Sequence, residues 1–205
     1  MDSRKLVFDI ETGGLPEEQI EIPEFEAPSN YKTPEAIAKY VEKKKQDYIE
    51  KAAISCFTGE VLAIGFQYDD KPVEIIHNIP ENEMIEHFWN VVNGLETYSV
   101  VGWNSNGFDL PFMVRKSWKY GIRIPDDMFT SYGKFSNRYI DLMLNWGCGV
   151  KEYVKLDTVA KFFGIGAKNG DGKFFKDMYK NDKTAALKYL ENDVFMTKAV
   201  AEKML

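Results

Sequence analysis

Hydrophobic and polar positions along the first half of the chain follow the two-residue period of strands and then the longer period of a helix. Apolar runs predict strands over residues 5–11, 61–69 and 73–78, and the turn DDKP between the last two predicts a hairpin. The pattern predicts a helix over residues 81–96 and a further strand over residues 99–104. The helix has apolar residues at helical spacing, namely Met84, Ile85, Phe88, Val91, Val92 and Leu95.

The second half of the chain alternates between helical and strand patterns. It predicts a helix over 108–120, a short strand around YIDLM, a helix in KLDTVAKFFG capped by Asp157, and a final helix over 184–204. Three strands followed by alternating helices and strands predict an α/β fold, with a mixed five-stranded sheet covered by helices.

Residues 17–52 interrupt this order. They begin acidic and proline-spaced and continue as a helical pattern, for which Thr33 is a suitable cap and Pro34 a suitable first residue. We therefore expect a single domain over residues 1–205 with an inserted loop and helix at 17–52. The charge of the insert is mixed, which favours a solvated surface helix over the alternative of a phosphate-binding arm at residues 43–45.

The composition is that of an ordinary globular protein. The 205 residues are 44% hydrophobic, and no apolar run approaches the ~20 residues of a membrane span. The beginning, MDSRKLVF, lacks the layout of a signal peptide, so we expect a cytoplasmic protein without membrane contact. Cys56 and Cys148 are isolated, which predicts buried free thiols and neither zinc nor a disulfide.

The charge balance says little about a nucleic-acid partner. A net charge of −6 argues mildly against binding by phosphate neutralisation, yet a nuclease that uses metal ions must itself cluster carboxylates. Asp9 and Glu11 are two apart in a predicted strand and so point the same way, which indicates either a divalent-cation site or a solvated acidic turn. Tyr189 and Asp193 are four apart and share one helical face, whereas Asp109 follows a strand end.

Three motifs carry a resemblance to a known family. DIETGGLP resembles the first motif of the DEDD superfamily of 3′–5′ exonucleases, NSNGFD resembles the second, and YLEND resembles the third. LDTVAKFFGI is similar to the corresponding stretch of the proofreading domain of family B DNA polymerases. Tyr189 stands where the tyrosine (DEDDy) branch has its tyrosine, and Lys188 stands where the other branch has histidine. The resemblance implies a ribonuclease H-like fold and covers nearly the whole chain apart from the insert.

The resemblance also implies site residues and cofactors. It implies two divalent ions, Mg²⁺ or Mn²⁺, that activate water and stabilise charge in phosphodiester hydrolysis. Asp9 would bridge both ions, Glu11 and Asp193 would complete the site that holds the water, Asp109 would serve the second ion, and Tyr189 would orient the water. For substrate binding it implies the backbone near Thr12 at the terminal sugar, Leu15 at the terminal base, and Asn104 and Phe108 at the neighbouring part of the strand. Core packing is the alternative for Phe108.

Several alternatives remain open at this stage. Asp141 is a rival carboxylate, for which we favour a structural role at a strand end. The segment 164–176 is either a connector or a phosphate-contacting loop, and the lack of a P-loop ending favours the connector. The expected substrate is the 3′ end of single-stranded DNA, and RNA is the alternative substrate. Two alternative functions are a catalytically weak binding module and a ribonuclease H-type endonuclease. The sequence ends after the last predicted helix, so we expect a free-standing nuclease, or proofreading with a replication or repair partner in trans.

Overall fold

Five strands form a single sheet in the computed structural model, which describes residues 4–150, 152–166, 172 and 175–205. In chain order the strands are Lys5–Gly14 (β1), Gly59–Tyr68 (β2), Glu74–His77 (β3), Ser99–Gly102 (β4) and Tyr139–Asp141 (β5). Their order across the sheet is β3-β2-β1-β4-β5. β2 and β3 pair antiparallel, whereas β4 pairs parallel with both β1 and β5. The mixed sheet confirms the predicted α/β fold class.

Seven α-helices lie within the residues that the structure describes. They are Pro34–Glu50 (α1), Glu81–Gly94 (α2), Asp109–Tyr120 (α3), Leu142–Trp146 (α4), Leu156–Phe162 (α5), Phe175–Asn181 (α6) and Lys183–Met204 (α7). Five of them match predicted helices, and the short helices α4 and α6 were not predicted. Their five and seven residues span too few turns for an apolar period to emerge.

The prediction that Asp157 caps α5 is wrong. The N-cap position belongs to Lys155, and Asp157 lies in the first turn, where its Oδ2 is 2.6 Å from Nζ of Lys161. A carboxylate in the first turn still interacts favourably with the helix dipole. A capping side chain does begin α7, because Oδ1 of Asp182 accepts a 3.0 Å hydrogen bond from the amide of Ala185.

The two faces of β1 pack against different helices. Val7 belongs to a buried cluster with Leu190 and Val194 of α7, whereas the ring of Phe8 lies 5.2 Å from that of Phe88 on α2. Because successive strand residues point to opposite faces, Asp9 and Glu11 share the face of Val7. The strand therefore presents both carboxylates on the side of the sheet that α7 covers.

Gly65 of β2 lets α7 lie close to the sheet. A Cβ built at this glycine would be 2.9 Å from Cγ of Leu190 and 3.0 Å from Cγ2 of Val194. Both distances are shorter than ordinary carbon–carbon contacts of about 3.5–4.0 Å. The absence of a side chain at Gly65 thus fixes the depth at which α7 sits.

The chain forms two compact units. One consists of Met1–Glu11 and Val61–Leu205, and the other of Thr12–Glu60. In the second unit, Thr33 caps α1 by accepting a 3.2 Å hydrogen bond from the amide of Ala36, and Pro34 is the first helical residue, as predicted. No residue of α1 is buried, which agrees with the expected solvated helix. The prediction of a single domain with an insert at 17–52 stays a prediction.

Two further features concern the chain as a whole. Among the residues that the structure describes, no helix combines the length and the apolar character needed to cross a membrane. Both cysteines are free thiols, but the expectation that they are buried is wrong: Cys56 is half-buried and Cys148 is exposed. Cys148 lies in the turn after α4 and has a positive φ of 50°.

Candidate active site

Three carboxylates from the two ends of the sequence meet beside the sheet. Asp9 and Glu11 come from β1 and Asp193 from α7, and one oxygen atom of each lies within 4.8 Å of the others. Glu11 and Asp193 are buried and Asp9 is half-buried. The alternation of β1 and the close packing of α7 on Gly65 together produce this cluster.

Tyr189 belongs to the same face of α7 as Asp193. The two residues are four apart, so they lie one turn from each other on the helix. Only 2% of Tyr189 is exposed, and its ring centre is 6.3 Å from that of Phe175 on α6. The neighbouring Leu190 and Val194 hold this part of α7 against the sheet.

Gly172 lies close to both the phenol of Tyr189 and the carboxylate of Glu11. A Cβ built at this glycine would lie 3.4 Å from the hydroxyl oxygen of Tyr189 and 3.7 Å from Oε2 of Glu11. The hydroxyl of Tyr189 and the carboxylate of Glu11 therefore both lie beside Gly172.

Asp109 joins the group from the beginning of α3. Its Oδ1 accepts a 3.2 Å hydrogen bond from the amide of Ile10, the residue between Asp9 and Glu11. Asp109 is buried and is the first residue of its helix, where the helix dipole favours a negative charge. Asp109 is thus hydrogen-bonded directly to the strand that carries Asp9 and Glu11.

These residues line one open cleft of about 660 Å³. Its walls contain all five predicted catalytic residues, together with other polar and aromatic side chains. The complete lining is Asp9, Ile10, Glu11, Trp103, Asn104, Phe108, Asp109, Met143, Tyr153, Val154, Lys155, Leu156, Asp157, Gly172, Tyr189 and Asp193.

Asp141 has the structural role that we favoured from the sequence. Its Oδ1 accepts hydrogen bonds from the amides of Asn104, Met143 and Leu144 at 3.0, 2.9 and 3.3 Å, and its Oδ2 accepts one from the amide of Asn106 at 3.0 Å. Burial raises the pKa of Asp141, although the four backbone hydrogen bonds oppose this shift. The carboxylate fastens the loop before α3 to the beginning of α4.

The predicted substrate-binding residues Asn104 and Phe108 lie in that loop and line the cleft. Asn104 has a positive φ of 57°, and its Oδ1 would be 2.5 Å from a Cβ built at Gly107, so its side chain folds over the turn. Phe108 is half-buried, with its ring 5.8 Å from that of Phe112. Phe108 therefore packs on α3 and also lines the cleft, and its predicted stacking on the substrate strand stays a prediction.

Thr12 and Leu15 belong to the second compact unit. The Thr12 hydroxyl donates a 2.7 Å hydrogen bond to the carbonyl of Ala53, and the Leu15 amide donates one of 2.8 Å to the carbonyl of Thr58. Their predicted contacts with a terminal nucleotide stay predictions. Whether the segment 164–176 is a connector or a phosphate-contacting loop depends mostly on residues 167–171, 173 and 174. These residues lie outside the described part of the chain.

Two aromatic residues of the cleft were not found from the sequence. Trp103 and Tyr153 both line it, and the indole nitrogen of Trp103 donates a 3.0 Å hydrogen bond to the carbonyl of Val154. Trp103 follows β4 directly, which is a signal that the residue lies at the edge where the loops carry function. Tyr153 lies in an irregular segment without any periodic pattern.

One family model matches most of this chain. The family described as a predicted 3′–5′ exonuclease related to the exonuclease domain of PolB matches residues 45–201, more than half of the chain. In the comparison with curated proteins, none matches the chain.

A solved structure supplies the fold. The family B DNA polymerase from the hyperthermophilic archaeon Pyrobaculum calidifontis is similar, with a TM-score of 0.67 and 21% sequence identity over 99% of this chain. The similar region spans 24% of the polymerase chain. At this level of identity the likeness shows the fold alone, and it agrees with the fold predicted from the sequence.

Proposed function

This chain belongs to the family of predicted 3′–5′ exonucleases related to the exonuclease domain of PolB, and on that premise we propose that it releases 5′-mononucleotides from the 3′ end of single-stranded DNA with the help of two divalent metal ions. We assign it to the tyrosine branch of the DEDD exonucleases. The observation that carries the proposal is the meeting of Asp9, Glu11 and Asp193 within 4.8 Å of one another, in a cleft that Asp109 and Tyr189 also line.

The donor set fits hard divalent cations. All the candidate ligands are carboxylates, and Mg²⁺ and Mn²⁺ prefer oxygen ligands. Three carboxylates at this separation, two of them buried, repel one another unless protons or cations offset their charge. We assign Asp9, Glu11, Asp109 and Asp193 as the residues that would hold the ions. When bound, such ions activate water and stabilise the charge that develops on the attacking and leaving oxygens.

The side chains of the chain itself supply orientation. The phenol of Tyr189 and Oε2 of Glu11 both lie beside Gly172 in the cleft, so in the proposal the phenol forms a hydrogen bond with a water molecule near the carboxylates. A phenol has a reference pKa of about 10, so it is a poor base at neutral pH. Its role in the proposal is therefore to position the attacking water, while the carboxylates would hold the ions.

A single strand is the form of nucleic acid that the aromatic lining supports best. Phe108, Trp103 and Tyr153 offer ring surfaces in the cleft, and base stacking on such rings tolerates any sequence. A paired strand presents its bases to the complementary strand and cannot stack on these rings. Thr12 and Leu15 are proposed contacts of the terminal nucleotide. RNA with the same 3′ end is the competing substrate that the experiment must separate.

The test is a side-by-side digestion of 5′-labelled single-stranded DNA, duplex DNA and RNA of one sequence, with Mg²⁺, with Mn²⁺ and with a chelator. We expect a ladder that shortens from the 3′ end, fastest on single-stranded DNA and absent with the chelator. Asp9→Ala is the matched inactive variant, and Asp126→Ala, at an exposed surface position, is the active control. Cleavage of a 3′-blocked or circular strand would contradict exonuclease action, and intact DNA under both metals would contradict the proposal.

A further inference from the structure

We propose that Lys155 binds a backbone phosphate of the substrate strand, namely the first one on the 5′ side of the phosphate that is cut. The inference rests on the proposed function and adds a binding residue to it. Lys155 is exposed and lines the same cleft as the five predicted catalytic residues. Within the part of the chain that the structure describes, no other lysine or arginine lines that cleft.

The charge of the cleft gives such a residue a purpose. Asp157, one of the lining carboxylates, pairs with Lys161 across 2.6 Å. The other lining carboxylates are the proposed metal ligands, Asp9, Glu11, Asp109 and Asp193. Two divalent ions would offset the charge of these ligands without a surplus, so the filled metal site attracts the rest of a polyanionic strand only weakly. A fixed positive charge beside the metal site supplies that attraction.

The ammonium group of Lys155 is available for this contact. Among the described residues it has no ion pair and no hydrogen bond, whereas Lys161 on the next turn is paired with Asp157. An ammonium group is a compact charge with three hydrogen-bond donors, which suits the oxygens of a phosphate. Hydrogen bonds between charged groups are also stronger than those between neutral ones.

The backbone of Lys155 is held on both sides. Before it, the carbonyl of Val154 accepts the 3.0 Å hydrogen bond from the indole of Trp103. After it, Leu156 is buried in the cluster that also contains Val7 of β1 and Tyr189 of α7. Lys155 is therefore attached to the same core as the strand and the helix that carry the proposed metal ligands.

The chemistry of cleavage at a 3′ end identifies the phosphate. The last nucleotide is joined to the strand through the phosphate that is cut, and no phosphate follows it. Every further phosphate therefore lies on the 5′ side. The ions would hold the phosphate that is cut, so we assign Lys155 to the nearest phosphate on that side. A phosphate contact is independent of the base, so the effect should be the same for every sequence.

The first experiment measures the affinity for a labelled single-stranded DNA against salt concentration. Fluorescence anisotropy with Mg²⁺ gives Kd in the Asp9→Ala background, which is expected not to cut the strand. At about 50 mM salt we expect Lys155→Ala to raise Kd about 5-fold, the scale of one exposed charged contact, and Lys155→Arg to stay close to its parent. One phosphate contact contributes about 0.7 to the slope of log Kd against log salt, so the ratio of the two Kd values should shrink about 2.5-fold by about 200 mM.

Lys203→Ala is the matched control. It removes the same charge from an exposed position on α7 that does not line the cleft. Its Kd and salt slope should stay close to those of the parent. A salt slope of Lys155→Ala parallel to that of the parent, or an equal loss in Lys203→Ala, would overturn the proposal.

The second experiment locates the contact. A methylphosphonate replaces one phosphate of the strand by an uncharged group. At the first phosphate on the 5′ side of the one that is cut, it should raise the Kd of the parent by about the factor that Lys155→Ala does, and in Lys155→Ala it should have little further effect, as two changes that remove one interaction do. A full further loss in Lys155→Ala at this phosphate would overturn the assignment.

Binding without turnover separates this inference from the proposed function. If the wild type leaves DNA intact under both metals, the proposed function fails, yet the expected change in salt slope would still support Lys155 as a phosphate contact. If the wild type digests DNA while Lys155→Ala keeps the Kd and the salt slope of its parent, the inference fails and the proposed function stands.

Discussion

The amide of Ile10 donates its hydrogen bond to Oδ1 of Asp109 across 3.2 Å. The bond links β1 directly to the beginning of α3 within the candidate site. The bond fixes the position of Oδ1 of Asp109, and the side-chain oxygen of asparagine can accept the same bond. One substitution can therefore remove the negative charge of Asp109 while its side chain keeps its position.

We expect Asp109→Asn to fold like the wild type and to lose activity. The Oδ1 of asparagine accepts the Ile10 hydrogen bond, but the neutral side chain is a weaker ligand for a divalent cation. Losing part of the several kcal/mol that a bound cation contributes lowers kcat by about 10²-fold or more. Single-turnover kinetics measure the loss, with the melting temperature as the control. Full activity in this variant would exclude Asp109 from the metal site.

Tyr189→Phe removes one hydroxyl and keeps the buried ring. Its packing beside Phe175 is preserved, so we expect little change in stability. The cleavage rate should fall by about 10²-fold, the scale of one acid–base or water-positioning contribution. Single-turnover cleavage with saturating metal and substrate gives this rate. Undiminished cleavage by the phenylalanine variant would mean that the phenol does not take part.

Metal binding can be measured without activity. If Mn²⁺ binds among the carboxylates of the folded protein, it stabilises that state by about 2.7 kcal/mol at 100 times its Kd. We therefore expect Mn²⁺ to raise the melting temperature of the wild type, in a manner that saturates. In Asp9→Asn the rise should be lost or should need much more Mn²⁺. The same rise in both proteins would place the binding ions elsewhere.

Gly65→Ala tests whether the depth of α7 matters. The added methyl would meet Leu190 at 2.9 Å, so the helix or its side chains must shift, at a cost of about 1–3 kcal/mol. We expect lower stability and a lower cleavage rate, because Tyr189 and Asp193 move with α7. Gly94→Ala is the matched control: nothing lies within 4 Å of its added Cβ, and alanine favours a helix. A control as unstable as Gly65→Ala would refute this account.

Asp141→Asn tests the attachment of the loop before α3. Asparagine with its oxygen at the Oδ1 position keeps three hydrogen bonds but turns an amide N–H₂ toward the N–H of Asn106. Leaving that part-buried donor without its acceptor costs about 1 kcal/mol or more, measured by denaturant unfolding. The surface control Asp126→Asn loses only an exposed ion pair, so its stability should stay within about 1 kcal/mol of the wild type. Equal stability of both variants would contradict the attachment.

Local periodicity was sufficient to predict much of the candidate site. The strand period placed Asp9 and Glu11 on one face, and the helix period placed Tyr189 and Asp193 on another. The structure brings the carboxylates Asp9, Glu11 and Asp193 together through the packing of α7 on Gly65. This packing depends on long-range contacts that no local pattern contains. From the sequence, the meeting of these carboxylates could be predicted only through the resemblance to known motifs.

Other features could not be predicted, for identifiable physical reasons. Two of the four hydrogen-bond donors of Asp141 lie in the loop at residues 104–106, and the tertiary fold alone brings them to it. Asp157 was misassigned because the N-cap of α5 is Lys155, which makes no side-chain cap, whereas the capping preference of aspartate indicates an N-cap two residues later. Tyr153 belongs to an irregular segment, where the direction of a side chain depends on contacts such as that between Trp103 and Val154. Cytoplasmic location and the partners stay predictions.

The scattered origin of the carboxylates governs when the protein can act during its own synthesis. Asp9 and Asp109 leave the ribosome well before Asp193, which lies on the last helix in the sequence. A growing polypeptide therefore contains an incomplete set of ligands until α7 has been made and has docked on the sheet. On the proposed function, a nascent or truncated chain that lacks α7 cannot degrade nucleic acid in its surroundings.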